Sequence, residues 1–191
     1  MARSGEEIVN PITHQRIIYH KTSRETNGEL FQMEFIMEPN SFIVGGPHIH
    51  PAQSEEFNVL SGAVNFIISG KQQVVPAGES RIVQPYTVHD WWNKSGESSH
   101  VMVTFRPAKH YETYFETIFG LARDGKTTDR GFPHLLQAAV IYYDFRESVR
   151  PPQPWARILT ALFLPIVAAI GKALGYRSWY PKYTHPATKP V

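Results

Sequence analysis

The 191-residue sequence contains no cysteine, which removes disulfides, thiolate zinc sites and a cysteine nucleophile from consideration. It also lacks a surplus of charge of either sign. Nineteen Lys and Arg stand against seventeen Asp and Glu, a formal net charge of +2, and the basic residues are too scattered to build the cationic face that nucleic-acid binding requires. No nucleic-acid partner is expected. The opening MARSGEEIVNPITHQR has no apolar run behind its charges, so it does not read as a secretory signal, and a cytoplasmic location is the expectation. There is no internal repeat and no run of like charges.

What the chain does contain is enough apolar material for one substantial core. Hydrophobic residues make up 42% and charged residues 19%, the balance of a globular domain. The texture divides in two. From about residue 29 to 106, short runs such as LFQMEFIM, EEFNVLSG, AVNFIISG, KQQVVPAG, SRIVQP and VMVTFRP are separated by turn signals, the pattern of an antiparallel sandwich or barrel. In FQMEFIM, Phe31, Met33 and Phe35 alternate with Gln32 and Glu34, the period of a half-buried strand. Ser61-Gly62 and Ser69-Gly70 mark turns between neighbouring strands. Residues 1–28 read as an N-terminal arm.

After Pro107 the period becomes helical. Tyr111, Tyr114, Phe115, Ile118 and Phe119 recur at helix spacing with Gly125 as a stop, and PHLLQAAVIYYDFRE forms a second helix. Residues 107–191 are thus a helical extension. Within it, residues 158–176 (ILTALFLPIVAAIGKALGY) are unusually apolar. The segment falls short of the ~20 uninterrupted residues that span a bilayer, and Pro165, Gly171 and Lys172 interrupt it. The expectation is a helix that packs on the barrel or a second subunit, or lies in a membrane interface beside Arg157, Lys172 and Arg177.

The chemistry concentrates in residues 45–62, GGPHIHPAQSEEFNVLSG. In an extended chain, side chains two apart share a face, so His48 and His50 project together. Glu55, or alternatively Glu56, supplies a carboxylate; Glu55 has the same parity as Phe57 and Val59 and can point inward with them, in which case Glu56 and Asn58 face out. In GESRIVQPYTVHDWWN, His89 shares a face with Trp91. Imidazoles and a carboxylate converging from several strands suit a divalent transition metal. The plainer alternative is a set of satisfied polar residues at a barrel mouth. Trp91, Trp92 and Phe57 are core residues or pocket walls, and His14, His20, His100, His110, His134 and His185, lacking partners at ligand spacing, are surface or structural.

These residues resemble the two motifs of the cupin superfamily, G-x5-H-x-H-x(3,4)-E-x6-G and G-x(5-7)-P-x-G-x2-H-x3-N. The first is matched by His48, His50, Glu55 and Gly62, with Phe42 at the opening glycine and Gly45 and Gly46 nearby. The second is matched by Gly78, Pro85, His89 and Asn93, with Thr87 at the internal glycine and one residue fewer between Pro85 and His89. The resemblance covers residues 29–106. It implies a mainly β fold, a double-stranded β-helix or jelly-roll barrel, followed here by C-terminal α-helices. It implies one divalent metal (Fe, Mn, Ni or Zn) on His48, His50, Glu55 and His89, with positions left open for a small-molecule substrate. The leading expectation is a dioxygenase or other oxidoreductase. The alternatives are a redox-silent lyase or isomerase in which Glu55 moves a proton, a non-catalytic binding protein, and a metal-free structural member. Homodimerisation through barrel edges is a further expectation of the resemblance.

Overall fold

The computed structural model describes residues 2–41 and 46–184. Phe42, Gly45 and His185 lie outside the described residues. Nine strands lie among the described residues: β1 (Glu7–Val9), β2 (Arg16–Lys21), β3 (Phe31–Met37), β4 (Ser54–Ser61), β5 (Ala63–Ile68), β6 (Lys71–Pro76), β7 (Ser80–Val83), β8 (His89–Trp92) and β9 (Ser99–Arg106). Their pairings are antiparallel, in a six-stranded sheet ordered β1-β2-β3-β9-β4-β7 and a three-stranded sheet ordered β6-β5-β8. This is the jelly-roll barrel with a helical extension.

Turn chemistry sets the connections. Ser69 and Gly70 alone join β5 to β6, and both have positive φ (51° and 78°), the two-residue hairpin that matches strand twist. At Gly62, φ is +72° and an added Cβ would stand 2.6 Å from the Ser98 carbonyl. Only glycine satisfies both conditions. Burial follows the expected parity: Glu55, Phe57 and Val59 point in, Glu56 and Asn58 out. Phe57 is enclosed by Phe66 and Trp91 with ring centroids 5.0 and 5.1 Å away, and burying such a side chain is worth about 2–3 kcal/mol.

Residues 1–28 do more than lead into the barrel. β1 and β2 extend the larger sheet beyond β3, with Ile17 opposite Phe35 and Tyr19 opposite Met33. Ile17 and Tyr19 are buried. Two inward positions in a six-residue strand are too few for alternation to reveal it.

Three helices follow: α1 (Tyr111–Arg123), α2 (Leu135–Asp144) and α3 (Pro154–Ala173). α1 stops as expected. Gly125 takes φ +66°, its N–H bonds Ala122 O, and the Lys126 N–H bonds Leu121 O, the glycine-terminated helix end. α1 packs over one end of the barrel, Tyr111 stacking on Phe105 at 4.0 Å. α3 runs through Pro165 without a break, so the expected interruption does not occur there. By length and composition it is apolar enough to cross a membrane.

α1 also buries two carboxyls. Glu112 and Glu116 are 4% and 3% exposed. Burial raises both to about 7; the Ser23 N–H opposes this at Glu112, and the Glu112 charge adds to it at Glu116. An unfolded glutamate titrates near 4.5, so between 4.5 and about 7 the folded chain holds more protons than the unfolded one, and stability falls as pH rises through that window. Glu116→Gln is therefore expected to be more stable than the parent at about pH 8, by roughly 1–3 kcal/mol, with the advantage gone near pH 4.5. Urea unfolding at both pH values checks this; a pH-independent difference would contradict it.

Candidate metal centre

The His48 segment is not a full strand. It is held extended by a two-way bridge in which His48 and His89 exchange backbone hydrogen bonds of 3.0 and 3.1 Å, and Ile49 does the same with Arg150 at 3.0 Å. That bridge places His48 and His50 against β8, which carries His89, and β4, which carries Glu55. One donor atom from each of His48, His50, Glu55 and His89 lies within 4.8 Å of the others. His50, Glu55 and His89 are buried and His48 partly so. The sequence assigned these four residues, and the fold brings all four together.

The hydrogen bonds fix which nitrogens carry protons. His48 Nδ1 lies 2.9 Å from Gly46 O, His50 Nδ1 2.7 Å from Ser148 O and His89 Nδ1 3.0 Å from Thr87 O. A carbonyl only accepts, so each Nδ1 must donate. In the neutral rings each Nε2 then presents a lone pair. These lone pairs face one another and a carboxylate: His48 Nε2 is 3.2 Å from His50 Nε2, and Glu55 Oε2 is 3.0 Å from His50 Nε2 and 2.9 Å from His89 Nε2. Four acceptors around one buried point repel unless positive charge stands among them, as a metal ion or as protons on the imidazole Nε2 atoms that face Glu55. This donor set fits a divalent metal, and Nδ1–H bonds to carbonyls are how ligating imidazoles are oriented.

The charges respond accordingly. Burial opposes ionisation of Glu55, but without a metal the His50 and His89 rings donate to it through Nε2, and those hydrogen bonds and charges outweigh burial and bring the carboxyl down to about 2. Burial, then the neighbouring His89 and His50, lowers His48 to about 3. Burial also opposes protonation of His89, but its hydrogen bond to Glu55 and that charge raise it. Glu55 is thus an anion and His48 a neutral donor at neutral pH, as a metal requires, and a metal entering the site displaces the proton that Glu55 favours on His89.

Asn93, the last motif position, is not a ligand. Wholly buried, its Nδ2 donates to the carbonyls of Met37, Glu38 and Glu97 at 3.3, 3.1 and 2.7 Å, and its Oδ1 accepts from Ser95. The shortened step before His89 is a turn closed by the Thr87 N–H on Gln84 O, with the positive φ (+63°) at Tyr86, one residue before the Thr87 that stands at the motif glycine.

A cavity of about 290 Å³ opens on the site. Its polar groups are few; Phe35, Trp91, Phe105, Tyr111, Tyr114 and Phe115 supply the walls. Trp91 is thus a pocket wall, whereas Phe57 is core. Sequence reasoning missed Tyr111 as part of the site. Its hydroxyl lies 2.6 Å from His50 Nδ1 and donates to Ser148 O at 3.1 Å, so it braces the ring from behind. Burial raises its pKa well above 10, keeping it a neutral phenol. It also missed residues 148–151, which supply Ser148 O and line the cavity with Arg150 and Pro151. No spacing rule connects them to His50.

Residues 33–105 match the family model described as the cupin domain. An Arthrobotrys oligospora protein named as an oxidoreductase is 24% identical over 149 residues, covering 72% of this chain and 58% of that protein; this chain therefore spans less than two thirds of its length. Among solved structures, a Thermotoga maritima protein described as a predicted oxalate decarboxylase aligns over 56% of this chain and 98% of its own at 17% identity and TM-score 0.48. The polyketide cyclase RemF of Streptomyces resistomycificus aligns over 48% of this chain and 64% of its own at 19% identity and TM-score 0.43.

Proposed function

Since this chain is a member of the cupin superfamily, its cupin domain at residues 33–105, we propose that it is a metal-dependent oxidoreductase, of dioxygenase type, acting on a small and largely apolar organic molecule. The observation that carries this reading is the convergence of three lone-pair Nε2 atoms and the Glu55 carboxylate at the floor of an aromatic cavity. His48, His50, Glu55 and His89 would hold the metal. Bound there, a redox-active ion such as iron, manganese or nickel supplies a Lewis-acidic centre that can engage both an oxygen-bearing substrate and dioxygen.

The chain's own groups do the rest. Phe35, Trp91 and Phe115 exclude water and accept an apolar body. Tyr111 holds His50 through Nδ1 and stays protonated. Glu55, whose Oε2 stands about 3 Å from the Nε2 atoms of His50 and His89, acts in this reading as a ligand rather than as a base. That assignment is testable by Glu55→Gln. As a ligand, its loss should weaken metal binding by roughly 10–100-fold; intact metal with abolished turnover would make it a proton carrier instead. The whole reading is tested by elemental analysis of untagged protein purified without chelators, followed by dioxygen uptake with candidate aromatic and enolic substrates. A redox-silent metal with no oxygen uptake would turn the reading to lyase or isomerase chemistry.

A further inference from the structure

α3 leaves most of its apolar surface uncovered. Trp155, Leu159, Leu162, Phe163, Ile166 and Ile170 recur every three or four residues along one stripe. Leu162 and Ile166 are 61% and 59% exposed, whereas Ala168 and Gly171 are the helix's buried positions. A stripe of this extent marks contact with something apolar.

Charge indicates what that is. Residues 145–191 carry seven basic residues and one acidic, Glu147, while residues 1–144 carry twelve basic and sixteen acidic. The apolar stripe sits in the cationic part of the chain, with Arg157 at one end and Arg177 at the other, while Lys172 and Lys182 are paired with Asp144 and Asp124. A second copy docked through a two-fold interface would set this cationic region against itself. An anionic lipid surface attracts it.

Packing sets the orientation. α3 lies alongside α2: an added Cβ at Gly171 would stand 2.7 Å from Val140 Cγ2 and 3.0 Å from the Leu136 carbonyl, and Lys172 Nζ reaches Asp144 Oδ1 at 2.7 Å. A helix clasped along its side in this way lies in the interface rather than across the bilayer. Beneath it, a groove of about 470 Å³ lined by Arg157, Ala161 and Leu164 shares Tyr142, Val149, Arg150, Pro151 and Thr160 with the cavity over His48 and His50.

We propose that α3 is an interfacial helix that docks the protein on an anionic bilayer through this stripe, with the groove that leads to the metal centre on the helix's opposite face. The docking stands independently of the metal. An apolar, membrane-dissolved substrate follows from it only together with the function proposed above.

The test is flotation of the full chain with phosphatidylcholine vesicles, with and without phosphatidylglycerol, across a salt series. The protein is expected to float with the anionic vesicles, to bind neutral ones less, and to release as salt rises. Leu162→Glu/Ile166→Glu should lower the bound fraction at least about tenfold. Both side chains face water, so the fold is not at risk, and metal content measured on the same variant should equal the parent's, separating loss of docking from loss of the site. No flotation of the parent, or equal binding by the variant, overturns the proposal. So does light scattering that shows a dimer split by the double substitution, because the stripe then belongs to a second copy.

Discussion

Replacing His48 and His50 together with alanine is expected to lower divalent-metal affinity by more than about a thousandfold, since two of four donors go and each outer-shell contact alone is worth about 10–100-fold. The barrel should stay folded. Neither histidine belongs to the apolar core, and removing both also removes the 3.2 Å contact between two Nε2 atoms, which opposes folding in the absence of a cation. Metal content and far-UV circular dichroism, measured together, check the expectation. Metal retained at the parent level in a folded variant would mean that HIH is a polar decoration at the barrel mouth. The parent should also gain thermal stability when metal is added, by mass action on the folded state, and the variant should not.

Asn93→Ala is expected to cost about 2–4 kcal/mol, read as a shift in the urea midpoint at unchanged slope. Its amide ties the end of β3, the Glu38 carbonyl and Glu97 in the loop before β9 at one fully buried point. Alanine leaves those carbonyls without their shared donor and opens a cavity in place of the amide. Asn93→Asp should be at least as harmful, because a carboxylate cannot donate and would face carbonyl oxygens. A loss below about 0.5 kcal/mol, the range of an ordinary surface substitution, would show that the clamp is dispensable. Because Asn93 follows β8 directly, its loss should also loosen His89.

The motif positions therefore carry different loads. His48, His50, Glu55 and His89 bring together the atoms that could hold a metal, whereas Asn93 and Gly62 build the scaffold around them. Spacing alone does not distinguish the two kinds. The distinction appears in where each polar atom points: Asn93 toward backbone carbonyls of its own loop and of the end of β3, the imidazole Nε2 atoms toward one shared point.

The sequence by itself determined the strands from β3 to β9, the inward parity of Glu55 with Phe57 and Val59, the four donors, and the helical, apolar character of α3. Those features are periodic or local, and side-chain direction in a strand follows from counting by two. The tertiary structure alone decided the rest. It recruited β1 and β2 to the sheet, ran α3 unbroken through Pro165, and set Tyr111 behind His50. It also fixed the His50 tautomer through Ser148 O, which lies 98 residues further along the chain. The physical reason is that a backbone carbonyl is present at every residue, so no residue type marks the one that will meet an imidazole. Only the path of the folded chain selects it.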